Sequence, residues 1–182
     1  MLRLCLITLM LAARTLQANE LPPPAYQFAA REANIPSIVL YAVALQESGM
    51  KLQGRMRPWP WTLNVGGTAE RYPNRASACT GLLRALRRVP ATRIDVGLGQ
   101  INIGYHGERI QRPCDLLDPY RNLTLAATLL REHHTPGEDW LLAVGRYHRP
   151  AGGEPALRYR RSVKQHLNRI QPDASTLAFH QE

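Results

Sequence analysis

The reading of this chain turns on one stretch, Ser37-Ile38-Val39-Leu40-Tyr41-Ala42-Val43-Ala44-Leu45-Gln46-Glu47-Ser48-Gly49. From Ile38 to Leu45 it presents apolar side chains at every angle around a helix, and a helix that is hydrophobic all round is a buried one. Gly49 is placed to stop it. Glu47 is then the anomaly. Burying a charge without a partner is expensive, and the usual response is a raised pKa, so that the group holds its proton near neutral pH. A protonated carboxyl facing a cleft can protonate a leaving oxygen as a general acid. The bland alternative is a Glu in the last helical turn that reaches water and does nothing, since acids are seldom fully buried.

Toward the N-terminus, Asn34-Ile35-Pro36 breaks the pattern, and Pro36 suits the opening of the helix that follows. Tyr26 to Ala33 reads as a short helix after the stiff lead-in Pro22-Pro23-Pro24. Further out, Arg3, the apolar run Leu4 to Ala13, and Leu16-Gln17-Ala18 have the anatomy of a cleavable secretory signal over residues 1–18. The run is too short for a spanning helix, which needs roughly 20 apolar residues, so no stable membrane span is expected. Export implies a periplasmic location. Cys5 would leave with the leader. Cys79 and Cys114 then remain as an even pair in an oxidising compartment, and a disulfide between them is expected; two buried thiols are the alternative.

The formal charge of +9 falls by two if Arg3 and Arg14 are removed. Basic proteins attract polyanions. Export turns the choice away from nucleic acid, including a DNA-binding reading of the Arg84 to Arg93 segment, and toward cell-wall glycan carrying acidic peptides and toward anionic lipid surfaces.

Downstream of Gly49 the pattern changes. Pro58 to Gly67 has the aromatics, β-branched residues and turn chemistry of a strand entering a hairpin. After Pro73, Ala76, Cys79, Leu82, Leu83 and Leu86 share a helical face, with Arg84, Arg87 and Arg88 toward water. Arg93 to Tyr105 is glycine-rich and reads as a loop. Helices are expected from Asn122 to His133, from Trp140 to Tyr147, and from Pro155 onward, where Leu157, Val163 and Leu167 point inward. Residues after Gln171 read as a frayed tail. The fold class is therefore mainly α with a small β-hairpin or irregular insertion, in one domain over residues 19–170. No metal site is expected: His133 and His134 are adjacent and diverge on a helix, and Cys79 and Cys114 lack zinc-site spacing.

Three motifs add company to Glu47. Ala44-Leu45-Gln46-Glu47-Ser48-Gly49 resembles the Glu-Ser signature of the soluble lytic transglycosylases of family 1. Asp95-Val96-Gly97-Leu98-Gly99-Gln100-Ile101-Asn102 resembles their Gly-Leu-Met-Gln-Ile motif, and Ala143-Val144-Gly145-Arg146-Tyr147-His148 resembles Ala-x-x-Tyr-Asn. Asp118-Pro119 through Asn122-Leu123 and Tyr159-x-x-x-Val163 fit the family's later helices. Trp59-Pro60-Trp61 resembles the subset that accompanies conjugation and type IV secretion systems.

The resemblance implies a lysozyme-like α+β domain that cleaves the β-1,4 bond between N-acetylmuramic acid and N-acetylglucosamine, leaving a 1,6-anhydro ring, without cofactor or metal. It implies Glu47 as acid and then base. It places Ser48, Gly97, Gln100, Asn102, Tyr147 and His148 at the substrate, with Tyr147 hydrogen-bonding the Glu47 carboxyl. Gly99 stands where the family has Met, which would remove a side chain from the cleft floor, and His148 where it has Asn. Partners would be peptidoglycan strands and components of a secretion or conjugation apparatus. Two other readings compete: a hydrolytic lysozyme, for which Asp95 would be the second carboxylate, and a non-catalytic glycan-binding assembly protein.

Overall fold

The computed structural model describes residues 20–170. The leader expected over residues 1–18 and the tail expected over 171–182 lie outside the described residues.

The helix that opened the analysis is the axis of the molecule. Helix α2 (Ser37–Ser48) packs against α1 (Pro24–Glu32), α5 (Pro119–Glu132) and α7 (Gly153–Ile170). Val39 to Leu45 are all essentially sealed from solvent. Apolar burial of this extent is the main stabilising term in such a domain. Tyr41 meets Tyr26 of α1 edge-on, with ring centroids 4.9 Å apart. Helices α6 (Trp140–His148) and α7 pack together and close the helical half.

Gly49 ends α2, though with an extended backbone and not the left-handed turn that usually follows a helix. The glycine is needed for closeness: a Cβ there would stand 2.2 Å from the Leu45 carbonyl oxygen. The chain therefore passes straight from α2 into β1 (Gly49–Leu52), which pairs with β2 (Arg55–Pro58) in an antiparallel ribbon.

The expected hairpin is β3 (Thr62–Val65) with β4 (Thr68–Arg71), joined through Gly66 and Gly67 at positive φ, as a tight two-residue turn requires. The Arg93–Tyr105 segment is more ordered than its glycines suggest. It contributes β5 (Ile94–Val96) and β6 (Ile101–Asn102) to an antiparallel sheet of order β4-β3-β5-β6, followed by the short helix α4 (Ile103–His106). Strands this short carry too few residues to show an alternating pattern.

Two helical faces differ in part from expectation. In α3 (Arg75–Ala85) the buried positions are Ala78, Gly81, Leu82 and Ala85, and Leu83 is exposed. In α7 they are Ala156, Tyr159, Val163, Leu167 and Ile170, with Leu157 exposed. In α3 the buried stripe is turned relative to the expected one, with Leu82 shared and Cys79 and Leu86 partly buried; in α7 Val163 and Leu167 point inward as expected and Leu157 does not. Helix α5 begins at Pro119, three residues before the expected start. Proline is preorganised for a first helical turn, and the Asp118 carboxylate accepts from the Tyr120 and Arg121 amides.

Candidate active site

Between the C-terminal end of α2 and the β3-β5-β6 sheet lies a cleft of about 760 Å³. Glu47, Asn64, Asp95, Gln100, Asn102, Tyr147 and His148 all line it, with Tyr105, His106 and His133 toward other parts of its rim.

Glu47 sits half-buried at the end of its helix. Its Oε1 accepts a 2.5 Å hydrogen bond from the Tyr159 hydroxyl on α7. The Tyr159 ring lies flat against the His148 imidazole, with centroids 4.4 Å apart. Burial pushes the Glu47 carboxyl up to about 7; the Tyr159 hydrogen bond works against that rise and the charge of Asp95 adds to it. The group is thus poised to hold a proton near neutrality and to release it, which is what a general acid that later acts as base requires.

Tyr147 does not make the contact expected of it. Its hydroxyl donates to the Gly99 carbonyl at 2.6 Å. Both tyrosines lie close enough to Glu47 for its charge to raise their own pKa values, after burial as the larger cause. The one that touches the carboxyl comes from α7, which lies directly along α2. A buried tyrosine hydroxyl must find an acceptor, and the helix nearer the loop supplies Gly99's partner.

The opposite wall is built from one row of the sheet. Asn64, Asp95 and Asn102 are direct cross-strand partners on β3, β5 and β6. Asn64 Nδ2 donates to Asp95 Oδ2 at 3.0 Å, and Asn102 Nδ2 to Asp95 Oδ1 at 2.7 Å. Burial raises the Asp95 pKa, while the two amide donors and the nearby His148 pull it back. Asn102 also caps α4 through its carbonyl oxygen.

The turn between β5 and β6 sets the floor. Gly97 has φ +82°, and a Cβ there would lie 2.3 Å from Asn122 Nδ2. Asn122 on α5 is completely buried. Its amide donates to the Val96 and Leu116 carbonyls, and its oxygen accepts from the Gly99 amide. Gln100, at φ +48°, donates to the Gly97 and Thr62 carbonyls.

These contacts correct three expectations. Ser48 is fully buried, and its hydroxyl lies between the Ala44 and Leu98 carbonyls; it ties the end of α2 to the turn and does not reach the cleft. Gly97 is buried behind the wall, where its conformation and its closeness to Asn122 demand glycine. Gly99 is buried, and a Cβ there would meet Ala126 (2.7 Å) and the Tyr147 hydroxyl (2.9 Å), so glycine here answers to close packing.

Asn64 was not foreseen, and Asn122 was noted for its motif without its role behind the turn. A signal existed for the first, because asparagine is depleted in strands and Asn64 stands between Leu63 and Val65. Behind the turn, Cys79 and Cys114 form the expected disulfide, with Cα atoms 5.3 Å apart. It joins α3 to the 3₁₀ turn Pro113–Leu117, whose Leu116 carbonyl is one of Asn122's acceptors. Trp59 donates to the Tyr72 carbonyl and packs edge-on against Trp61, so this stretch braces the entry to β3. Among the described residues, no three His, Cys, Asp or Glu side chains gather as metal ligands, and no single helix is long and apolar enough to cross a membrane.

An acid at the end of a buried helix, facing a small sheet across an open cleft, is the plan of a lysozyme-like glycan-cleaving domain. The transglycosylase SLT domain model matches residues 24–170, and the chain belongs to that family, whose substrate is peptidoglycan and whose members are lytic transglycosylases. No curated protein and no solved structure matches the chain.

Proposed function

We propose that this protein cleaves the β-1,4 bond between N-acetylmuramic acid and N-acetylglucosamine in peptidoglycan, with Glu47 as acid and then base. Glu47 gives its proton to the glycosidic oxygen as the bond to C1 of the muramic residue breaks. The C6 hydroxyl of the same residue then attacks C1 and returns its proton to Glu47, closing the 1,6-anhydro ring without consuming water. The observation that carries this reading is the Glu47 carboxyl itself, desolvated at the end of α2, gripped by Tyr159 and open to the cleft.

The leader-like N-terminus supports action in the periplasm. The resemblance of Trp59-Pro60-Trp61 to the secretion-associated subset supports a role in opening the wall locally for a conjugation or type IV secretion apparatus. Gln100, Asn102 and His148 line the cleft and are the candidates for glycan contact.

Digesting purified sacculi with native protein and Glu47→Gln tests the chemistry. The amide keeps the shape but has no proton to deliver, so release of anhydro-muropeptides should fall by roughly 10²–10⁴-fold, with glycan binding retained. Native-rate release by Glu47→Gln would remove Glu47 from the reaction. The position of Asp95 in the same cleft favours a second reading, hydrolysis, which requires a second carboxylate; reducing ends in place of anhydro rings would select it.

A further inference from the structure

We propose that Asp95 is a second functional carboxylate of this cleft, a fixed anion held by Asn64 and Asn102 that stabilises the positive charge developing on the sugar ring as its leaving oxygen departs. This rests on the reading of Glu47 as the acid.

The argument starts from register. Asn64 and Asn102 are the two cross-strand neighbours of Asp95, so their side chains share one face of the sheet with it, and all three line the cleft. Each carboxylate oxygen receives one amide N–H. Donors to both oxygens favour the charged form. Among the described residues, no lysine or arginine forms a salt bridge with Asp95: the ion pairs of this domain lie elsewhere. The basic neighbour of Asp95 is His148, which burial keeps toward its neutral form.

Asn64 shows what this arrangement demands. With its N–H turned to Asp95, its Oδ1 is buried with no hydrogen-bond donor among the described residues. Turning the amide over would put its carbonyl oxygen against the carboxylate, which an anion cannot accept. A buried polar group left unpaired is unfavourable, and here it accompanies the fixing of a carboxylate at the reaction cleft.

A base that activates water needs to gain a proton easily. Burial eases proton gain by Asp95, but two amide donors oppose it and leave the negative charge available to a cationic transition state, and fixed charge of this kind needs no reorganisation during the reaction. The same charge bears on the acid. Around Glu47 stand Tyr159 from α7, Tyr147 and His148 from α6, and Asp95 from β5. Of these, Asp95 is the acidic group whose charge favours the protonated form of Glu47.

The test couples a substrate-free measurement to kinetics. In the native protein, ¹³C NMR of the Glu47 carboxyl should show its main titration near 7 and a smaller inflection as Asp95 ionises. In Asp95→Asn the smaller inflection should vanish and the main one fall by about 0.5–1 pH unit. On isolated glycan strands, the variant should lose roughly 10–100-fold in kcat, with KM within about twofold by the differential-binding argument. The basic limb of its pH profile should move down with Glu47, and its products should still carry 1,6-anhydro rings. Asp95→Ser, made in parallel, supplies a second neutral replacement, and the native titration stands whether or not either variant folds. A Glu47 signal without the second inflection, an unmoved basic limb, or native kcat would each overturn the proposal. Loss of reducing-end products alone would overturn it too, by making Asp95 a base for water. If Glu47→Gln were fully active while the coupling persisted, the acid assignment would fall and the coupling would stand.

Discussion

The cleft has two walls that hold the same functional group in different ways. On the helical wall, a carboxyl ends an apolar helix with a single hydroxyl donor, and burial drives it toward its neutral form. On the sheet wall, burial raises a second carboxyl as well, but two amides donate to it and oppose the rise. Carboxyls of one chemistry are thus given different surroundings, one hydroxyl donor on the helical wall and two amide donors on the sheet wall. The walls are also secured differently. The helical wall is held mainly by apolar packing, and the sheet wall adds buried polar contacts and a covalent bridge to the apolar packing of Leu63, Ile94, Val96 and Ile101.

That difference can be broken at the bridge, where the largest effect is expected. Cys79 and Cys114 are 35 residues apart in sequence, and removing a link that closes a loop of this size should cost about 3–4 kcal/mol of stability in the chain-entropy picture. Cys79→Ser with Cys114→Ser, followed by urea unfolding, measures it. Amide exchange should accelerate first in residues 94–102 and last in α2. Equal acceleration in both would mean that the walls are not independently secured.

A middle-sized effect tests the proton-holding wall. The Glu47 pKa is raised from an ordinary 4.5 to about 7, so the folded protein binds the extra proton more tightly than the unfolded chain. The associated stability is fully present below pH 4.5 and is lost as pH rises through about 7. Above that point Glu47→Gln should be more stable than native by about 1–3 kcal/mol, and the advantage should shrink as the pH falls toward the unfolded value. Thermal melts from acid to mildly alkaline pH check the sign. A constant difference would show that Glu47 titrates normally.

The smallest effects separate the two tyrosines. Tyr147→Phe leaves the Gly99 carbonyl without its donor and should cost about 0.5–1.5 kcal/mol of stability, with the pH profile unmoved. Tyr159→Phe removes the bond that favours ionised Glu47, so the basic limb of activity should move up by a few tenths of a pH unit, opposite in sign to Asp95→Asn. Chemical denaturation and pH–rate profiles of both variants distinguish them.

What was legible in the sequence follows the same division. Helix α2 and its acid could be read because twelve consecutive helical residues leave a strong pattern, and the capped start of α5 at Asp118-Pro119 carries its own chemical signal. The sheet wall could not. Strands of three and two residues are too short to show alternation, and glycines that serve close packing look like those of an ordinary loop. Motif resemblance drew attention to the right turn and the right two helices, yet it could not say which tyrosine reaches the carboxyl. That depends on how α6 and α7 lie against α2, a tertiary relation with no local trace. Ser48 shows the same limit: its neighbour Glu47 reaches the cleft, and a step of one residue around the helix turns the hydroxyl toward the Leu98 carbonyl.

Asn122 has a consequence for how this protein can change over generations. One amide satisfies the backbone of Val96, Gly99 and Leu116 at once, so the chain between β5 and β6 is measured against a fixed ruler on α5. Inserting or deleting a single residue there would leave several buried backbone groups unpaired, each at about 1–3 kcal/mol, a loss comparable to the whole stability of a small domain. The β1–β2 turn at Gln53-Gly54 is exposed, and a Cβ at Gly54 would meet nothing within 4 Å. Length variation among descendants of this chain should therefore accumulate at that turn and be absent from residues 97–100.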